Sequence, residues 1–291
     1  MKEIVIVSGK GGTGKTSLTA SFAALADNAV LADCDVDAAD LHLILDPQVL
    51  HKAEFISGHE AVIDRNGCIG CGECERLCRF EAVHPNHDTG RYEINPVACE
   101  GCGVCVHFCP AGAIQFPERH CGEWYISDTR FGPMVHARLG IAAENSGKLV
   151  SLVRKEAKRI AAERSARLLL VDGPPGIGCP VIASITGVDL MVVVTEPTLS
   201  GKHDLERVLH LARHFKVPAL VCVNRWDINP EISGQIEDES RRNGASVVGR
   251  IPYDPEVTAA QIGGRSVIEH GNSPASKEIR SIWKELCLKM Y

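Results

Sequence analysis

The sequence predicts an open, doubly wound and mostly parallel α/β sheet, interrupted by a small inserted α+β domain. Three observations carry this expectation. Short, nearly continuous apolar runs alternate with segments of helical spacing along most of the chain; a glycine-rich loop joins the first run to the first helical segment; and eight of the thirteen cysteines fall in one stretch where the alternation stops. Continuous apolar runs suit strands covered on both faces, and strand–helix alternation builds parallel sheets.

The first run, EIVIV at 3–7, leads through SGKGGTGKTS at 8–17 into helical spacing over 18–26. AVLAD at 29–33 is the second run. After the interruption come helical spacing over 149–162, RLLLVD at 167–172, LMVVVT at 190–195, helical spacing over 205–215, ALVCVN at 219–224 and SVVGRIP at 246–252. The cysteine-rich interruption covers 61–118. The expected organisation is therefore one discontinuous domain, 1–60 with 119–291, and one insert, 61–118.

Composition narrows the function classes. A chain of 291 residues with 45% apolar content can bury a full core. Its apolar stretches fall far below the roughly 18–20 residues of a membrane helix, so no stable membrane insertion is expected. The first residues form a strand that runs straight into the glycine-rich loop, without the segments of a signal peptide, and a cytoplasmic location is expected. A formal net charge of -6 gives no electrostatic reason to expect a nucleic-acid partner. Thirteen cysteines in a chain neither small nor secreted point to metal binding rather than a disulfide scaffold.

The glycine-rich loop has the Walker A spacing: Gly9, four residues, then Gly14, Lys15 and Thr16, directly after a strand and before a helix. Gly11, Gly12 and Gly14 permit close approach of backbone N–H groups to phosphate oxygens at a helix N-terminus, and Thr13 and Ser17 complete the cradle. Lys15 supplies charge, and the Thr16 hydroxyl is placed to bind Mg2+. A second lysine, Lys10, lies inside the loop.

With that lysine, GKGGTGKT resembles the deviant Walker A of the MinD, ParA, Mrp and nitrogenase iron protein superfamily. The resemblance implies a SIMIBI-type P-loop ATPase that binds Mg2+ and ATP, and a nucleotide-sandwich dimer, either a homodimer or a heterodimer with a paralogous ATPase. In that dimer Lys10 would reach the partner's phosphates. LADCDVDAADL follows the second strand; by similarity Asp35 orients the attacking water, Asp33 sits behind the Mg2+ waters, and Asp37 and Asp40 belong to the same switch. LLLVDGPPGIG resembles the second switch, with Asp172 as the Walker B carboxylate and Gly176 near the terminal phosphate. VNRWD places Asn224 where the family binds adenine, and IPYD places Pro252 and Asp254 along the base.

The insert carries Cys68, Cys71, Cys74 and Cys78 in C-x2-C-x2-C-x3-C spacing, repeated by Cys99, Cys102, Cys105 and Cys109 and followed by Pro110. This is the two-cluster bacterial ferredoxin pattern, in which the fourth cysteine of each run serves the other cluster. Cys68, Cys71, Cys74 and Cys109 are thus assigned to one 4Fe-4S cluster, and Cys99, Cys102, Cys105 and Cys78 to a second. INPVACEGCGVCVHFCPAGAI echoes VIDRNGCIGCGECERLCRFEAV, which supports a pseudo-twofold module. Zinc is the rival, but its sites usually pair two C-x2-C units a dozen or more residues apart. Arg79 stands where the pattern has proline. The insert has eight acidic and four basic residues, a net charge of -4 before any cluster adds to it.

As a whole the chain is similar to MinD-superfamily ATPases with an inserted ferredoxin domain. The resemblance implies either an ATP-gated electron carrier acting on a redox partner protein, or an assembly or carrier protein for a metal-sulfur cofactor. Weaker features remain. Cys179 is either a bridging-cluster ligand or an ordinary thiol, packed or accessible, and Cys34, Cys121, Cys222 and Cys287 read as small buried apolar residues. His203, His210 and His214 share a helix without a metal motif. The basic segment over 147–164 reads as a solvated face or an acidic partner's surface, and the final apolar stripe, Ile279, Ile282, Trp283 and Leu286, as a closing helix or a membrane-surface helix.

Overall fold

All six expected strands form, and three more join them in one nine-stranded sheet. The computed structural model describes residues 1–140 and 145–290. The chain opens with β1 (Lys2–Ser8), α1 (Lys15–Leu25), β2 (Ala29–Asp33), the short α2 (Leu41–Leu45) and the long β3 (Gln48–His59). Short elements come next: β4 (Val62–Ile63), α3 (Glu73–Leu77), β5 (Val83–Asn86), β6 (Arg91–Ile94), α4 (Val104–Phe108) and β7 (Ile114–Gln115). Then β8 (Glu118–Thr129) and β9 (Gly132–Leu139) are joined by Arg130 and Phe131 alone, a hairpin. The remainder alternates: α5 (Ser146–Glu163), β10 (Leu168–Pro175), α6 (Cys179–Ile185), β11 (Leu190–Thr195), α7 (Leu199–His214), β12 (Ala219–Asn224), α8 (Pro230–Arg242), β13 (Ser246–Ile251), α9 (Pro255–Ile262), α10 (Val267–His270) and α11 (Pro274–Met290).

The sheet order is β13-β12-β11-β1-β10-β2-β9-β8-β3. From β13 to β9 neighbouring strands pair in parallel, and Asp172 on β10 lies opposite Asp33 on β2. Parallel strands end on the same side, so this register brings the acidic ends of β2 and β10 together beside the loop that leaves β1. Ile4 to Val7 and Leu169 to Val171 have no exposed surface, as expected of strands covered on both faces. The strands that periodicity did not announce, β3, β8 and β9, are not continuous apolar runs; most of β3 is exposed.

Helices cover the sheet through their apolar faces. On α11, Ile279, Ile282 and Leu286 are buried, and Trp283 packs on Phe22 of α1 with ring centroids 5.1 Å apart, so the closing-helix reading holds. On α5, Leu149, Val150, Val153 and Ala157 face the core. Its basic character is partly internal: Arg154 is buried and donates to Glu3 Oε1 from Nε at 2.9 Å and Nη2 at 2.7 Å, while Lys158 reaches Glu3 Oε2 at 2.8 Å. A buried guanidinium needs such a partner, because an uncompensated ion inside the core is costly.

The chain divides into two compact units, Met1–Ala53 with Trp124–Arg138 and the chain from Ser146 onward, and Glu54–Glu123 with a short segment beginning at Leu139. The second is wider than the 61–118 expected from the cysteine pattern, since it also takes parts of the long strands β3 and β8. Its small core is Ala61, Cys74, Val83 and Ile114, with Tyr92, Ile94 and Phe116 against it. Two antiparallel pairs, β4 with β7 and β5 with β6, frame it. Among the described residues no helix is long and apolar enough to cross a membrane.

In the first unit, His136 on β9 is buried, 2.8 Å from Ser127 Oγ through Nε2 and stacked on Tyr125 and His42. Burial, with a smaller contribution from His42, pushes its pKa down to about 4 from the ordinary 6.5. Between those values the unfolded chain binds more protons than the folded one, so stability falls as pH drops from 6.5 toward 4. Denaturant midpoints at pH 7 and pH 5 should therefore differ, and His136→Asn should shrink the difference by up to about 2 kcal/mol.

Candidate functional site

The loop between β1 and α1 opens a cleft of about 520 Å3 in the first unit. Gly14 precedes α1 in a left-handed conformation, φ 89°, and a Cβ there would meet the Asn224 amide at 2.4 Å. Only glycine fits that position. The Asn224 side chain donates to Thr13 O at 2.8 Å and so fastens the loop to the end of β12. Thr13 Oγ1 is buried and has no hydrogen-bond partner, an orphaned donor of the kind that a phosphate oxygen satisfies. Gly11 and Gly12 face open space, so their backbone is accessible.

Lys15 and three carboxylates form the centre of the site. Lys15 Nζ lies 3.2 Å from Asp35 Oδ2 and 3.2 Å from Asp172 Oδ1. Thr16 Oγ1 donates to Asp172 Oδ2 at 2.8 Å, and Thr19 Oγ1 to Asp172 Oδ1 at 2.9 Å. Burial works against the charge of Lys15, but Asp172, Asp35 and Asp33 outweigh it and push its pKa up to about 12. Burial, added to the repulsion of Asp172, raises Asp33 well above the usual carboxylate range; burial also raises Asp35. One ammonium among three acids is therefore the main charge compensation here.

Two of the expected residues are also engaged by backbone N–H groups. Asp33 is fully buried, and its oxygens accept from Asp35 N at 3.1 Å and Leu41 N at 3.3 Å. It therefore shapes the 35–41 loop. Asp254 lines the cleft beside Pro252, but its carboxylate accepts from Glu256 N and Ala275 N, both at 3.0 Å, and fastens the starts of α9 and α11. Burial opposes its charge, yet bonds from Ser273 and the Ala275 and Glu256 N–H groups keep its pKa below the ordinary value.

Other predicted residues fall around the same centre. Ser17 Oγ accepts from Gln261 Nε2 at 2.6 Å. A Cβ on Gly9 would meet Asp204 Cβ at 2.4 Å, so this glycine permits close packing against α7. Lys10 Nζ rests 3.7 Å from Glu196 Oε2, and 3.5 and 3.4 Å from the hydroxyls of Thr198 and Ser200. Thr19, Glu196 and Gln261 escaped the sequence reading, because each matters only through a distant partner. Cys34, Cys121 and Cys222 are buried as expected, Cys287 is half-buried, and Cys179 is exposed at the start of α6, an accessible rather than a packed thiol.

In the second unit the eight thiols gather around two cavities. Cys68, Cys71, Cys74 and Cys109 line one; Cys78, Cys99, Cys102 and Cys105 line the other. Each cavity thus takes three thiols from one run and the fourth from the other. Gly72 and Gly103, at φ 77° and 73°, turn the chain at matching places before α3 and α4. Cys78 Sγ accepts from Ala82 N and Cys109 Sγ from Ala113 N, both at 3.4 Å, so the two halves repeat their hydrogen bonding. Burial pushes the Cys74 thiol up to about 11 and raises Cys105. These thiols would ionise at neutral pH only beside a compensating cation. Among the described residues no three His, Cys, Asp or Glu side chains converge as a single metal ion requires; the thiols ring cavities instead.

A phosphate loop entering the first helix of a parallel sheet, with acidic strand ends facing it, defines a P-loop nucleoside triphosphatase. The chain belongs to the CobQ/CobB/MinD/ParA nucleotide-binding domain family, whose model matches residues 4–267. Within that family it is a P-loop ATPase of the MinD and ParA class. It is 33% identical to an uncharacterised protein of Methanocaldococcus jannaschii, over 98% of this chain and 96% of the relative. It is 21% identical to a protein of Pyrococcus abyssi named iron-sulfur cluster carrier protein, over 99% of this chain and 86% of that one. Among solved structures, the septum site-determining protein MinD of Pyrococcus horikoshii, complexed with Mg-ADP, matches with a TM-score of 0.56 at 17% identity, covering 98% of this chain and 95% of that chain.

The central position of Lys15 makes a direct test available. If Lys15 binds phosphate as its place in the loop predicts, Lys15→Ala should lose a charge-assisted bond of about 1.5–3 kcal/mol, and a fluorescent ATP analogue should bind roughly 10- to 100-fold more weakly. Because Lys15 titrates near 12, its contribution to binding should be constant from pH 6 to pH 9.

Proposed function

We propose that the chain is a dimeric, Mg2+-dependent ATP switch that carries two 4Fe-4S clusters and passes electrons to a partner protein according to its nucleotide state. The observation that carries this reading is the sharing of thiols between runs, which gives each cavity four cysteines. A fully ligated pair of clusters suits electron transfer better than cluster donation. When bound, such clusters supply one-electron transfer at a potential set by charge, hydrogen bonds to sulfur and exposure.

The residues of the cleft divide the ATP chemistry among them. Backbone N–H groups of residues 11–16 and the Thr13 hydroxyl hold the phosphates, and Lys15 neutralises the charge that grows on them. Thr16 would hold Mg2+, which screens the phosphates, with Asp172 behind it. Asp35 orients the attacking water, and Asp33 keeps the Asp35 loop in place through its two backbone bonds. Asn224 and the Pro252 backbone face the base. Lys10 leaves Glu196 to reach the partner's phosphates in the dimer, so hydrolysis by the isolated chain should be slow, on the order of 10^-4 to 10^-2 per second as in unassisted switch NTPases.

The chain reaches the cysteine-rich unit from the Asp33–Asp40 loop through α2 and β3. A loop that changes between ATP and ADP states can therefore act on the segments after it in the chain. The name carried by the Pyrococcus abyssi relative supports a second reading, in which the protein assembles or carries an iron-sulfur cofactor and its own clusters are structural.

An anaerobic redox titration followed by EPR, without nucleotide, with ADP and with a non-hydrolysable ATP analogue, separates the two. Potentials or spectra that move with nucleotide are expected. Unchanged clusters in all three states, with cluster transfer to an apo-protein, would establish the carrier reading instead. The thiol sharing makes its own prediction: Cys109→Ser should deplete the cluster of the first run and Cys78→Ser that of the second, each removing about half of the bound iron. Loss from the run that contains the substituted cysteine would contradict it.

A further inference from the structure

Arg130 forms, with Phe131, the turn between β8 and β9, and among the described residues its guanidinium is the most heavily used donor in the first unit outside the cleft. Nη1 donates to Leu45 O at 2.8 Å, and Nη2 to Ile44 O at 2.8 Å and Gly264 O at 3.2 Å. Nε and Nη2 also meet the Glu269 carboxylate at 2.6 and 2.9 Å. Glu269 is itself fixed, since its Oε2 accepts from Ser266 N and Ser266 Oγ at 2.8 Å in the capping box of α10.

These partners belong to three segments around the nucleotide cleft. Ile44 and Leu45 end α2, the helix whose first N–H, on Leu41, is held by Asp33. Leu43 and Ile44 of α2, Gln261 of α9 and Val267 of α10 all line the cleft, whereas Arg130 does not. A cation suits the free carbonyls at a helix C-terminus, and only the planar fork of arginine can serve several carbonyls and a carboxylate together. Movement of α2 against α9 and α10 must either carry Arg130 along or break its bonds. Such a contact has discrete arrangements rather than a continuous range.

We propose that Arg130 is the positioning residue through which the nucleotide state of the cleft reaches strand β8. The strand runs without a break from Thr129, next to Arg130, back to Glu118, shortly after Cys109 in the chain. This assignment rests on the reading of the cleft as an ATP switch coupled to the clusters. It adds a specific route: the Asp33–Asp40 loop moves α2, α2 moves Arg130, and Arg130 moves the end of β8. A purely structural staple would hold the same three segments in every nucleotide state alike.

Hydrogen exchange on the full, cluster-loaded chain distinguishes these roles. Peptides covering 118–129 would be followed without nucleotide, with ADP and with a non-hydrolysable ATP analogue, in wild type, Arg130→Gln and Arg130→Lys. Wild type should show exchange in β8 that differs between nucleotide states. Both variants should bind nucleotide and lose that difference. Arg130→Lys keeps the charge without the fork and provides the same comparison should Arg130→Gln not fold. The proposal is overturned if the variants melt earlier but keep the nucleotide-dependent difference, or if β8 in wild type ignores nucleotide. EPR of wild type and both variants in the same three states reports separately on coupling: coupling that survives in the variants sinks the role of Arg130 alone, and its absence in wild type sinks the gated electron carrier.

Discussion

The ion pairs of Lys15 with Asp35 and Asp172 are the interaction on which the first unit depends. They require β1, β2 and β10 to be adjacent and parallel, because only then do a loop from one strand and carboxylates from two others meet at one end of the sheet. Buried acids resist ionisation, and Asp33 is raised first by burial and then by the repulsion of Asp172, with Lys15 acting against both. A lysine held at about 12 stays protonated at neutral pH, so one ammonium remains beside these acids at the mouth of the phosphate loop.

The same economy of position recurs at the edges of the cleft. Asn224, Gln261 and Asp254 each tie two segments together: β12 to the phosphate loop, α9 to α1, and α9 to α11. Arg130 adds a further tie, from the end of α2 to Gly264 just after α9.

The cysteine-rich unit is built by a different logic. Its apolar core is small, and the thiols themselves form part of it. Unionised thiols around two cavities contribute little cohesion, whereas metal-bound thiolates would crosslink both runs at once, because each cavity draws on both. In that case the stability of this unit and any redox chemistry would rest on the same eight residues.

Much of this was legible in the sequence. Strands β1, β2, β10, β11, β12 and β13 announced themselves because double coverage demands uninterrupted apolar residues, and the phosphate loop and cysteine runs did so because their chemistry is local and tolerates only certain spacings. The strands β3 and β8 did not, since their residues are largely polar or only half-covered, and β9 did not because Gly132, Pro133, His136 and Arg138 break its apolar run although most of it is buried. Nor could spacing show that Asp254 and Asp33 are occupied by backbone N–H groups, or that Arg154 neutralises Glu3 and Arg130 gathers three segments. The sequence alone determined the class of fold, the phosphate loop and the pattern of thiols. Tertiary structure decided which carboxylates meet Lys15, which are taken up by helix ends, and which arginines hold the frame, because those contacts join residues from about 20 to more than 150 positions apart that only the folded sheet and its helices bring within hydrogen-bond distance.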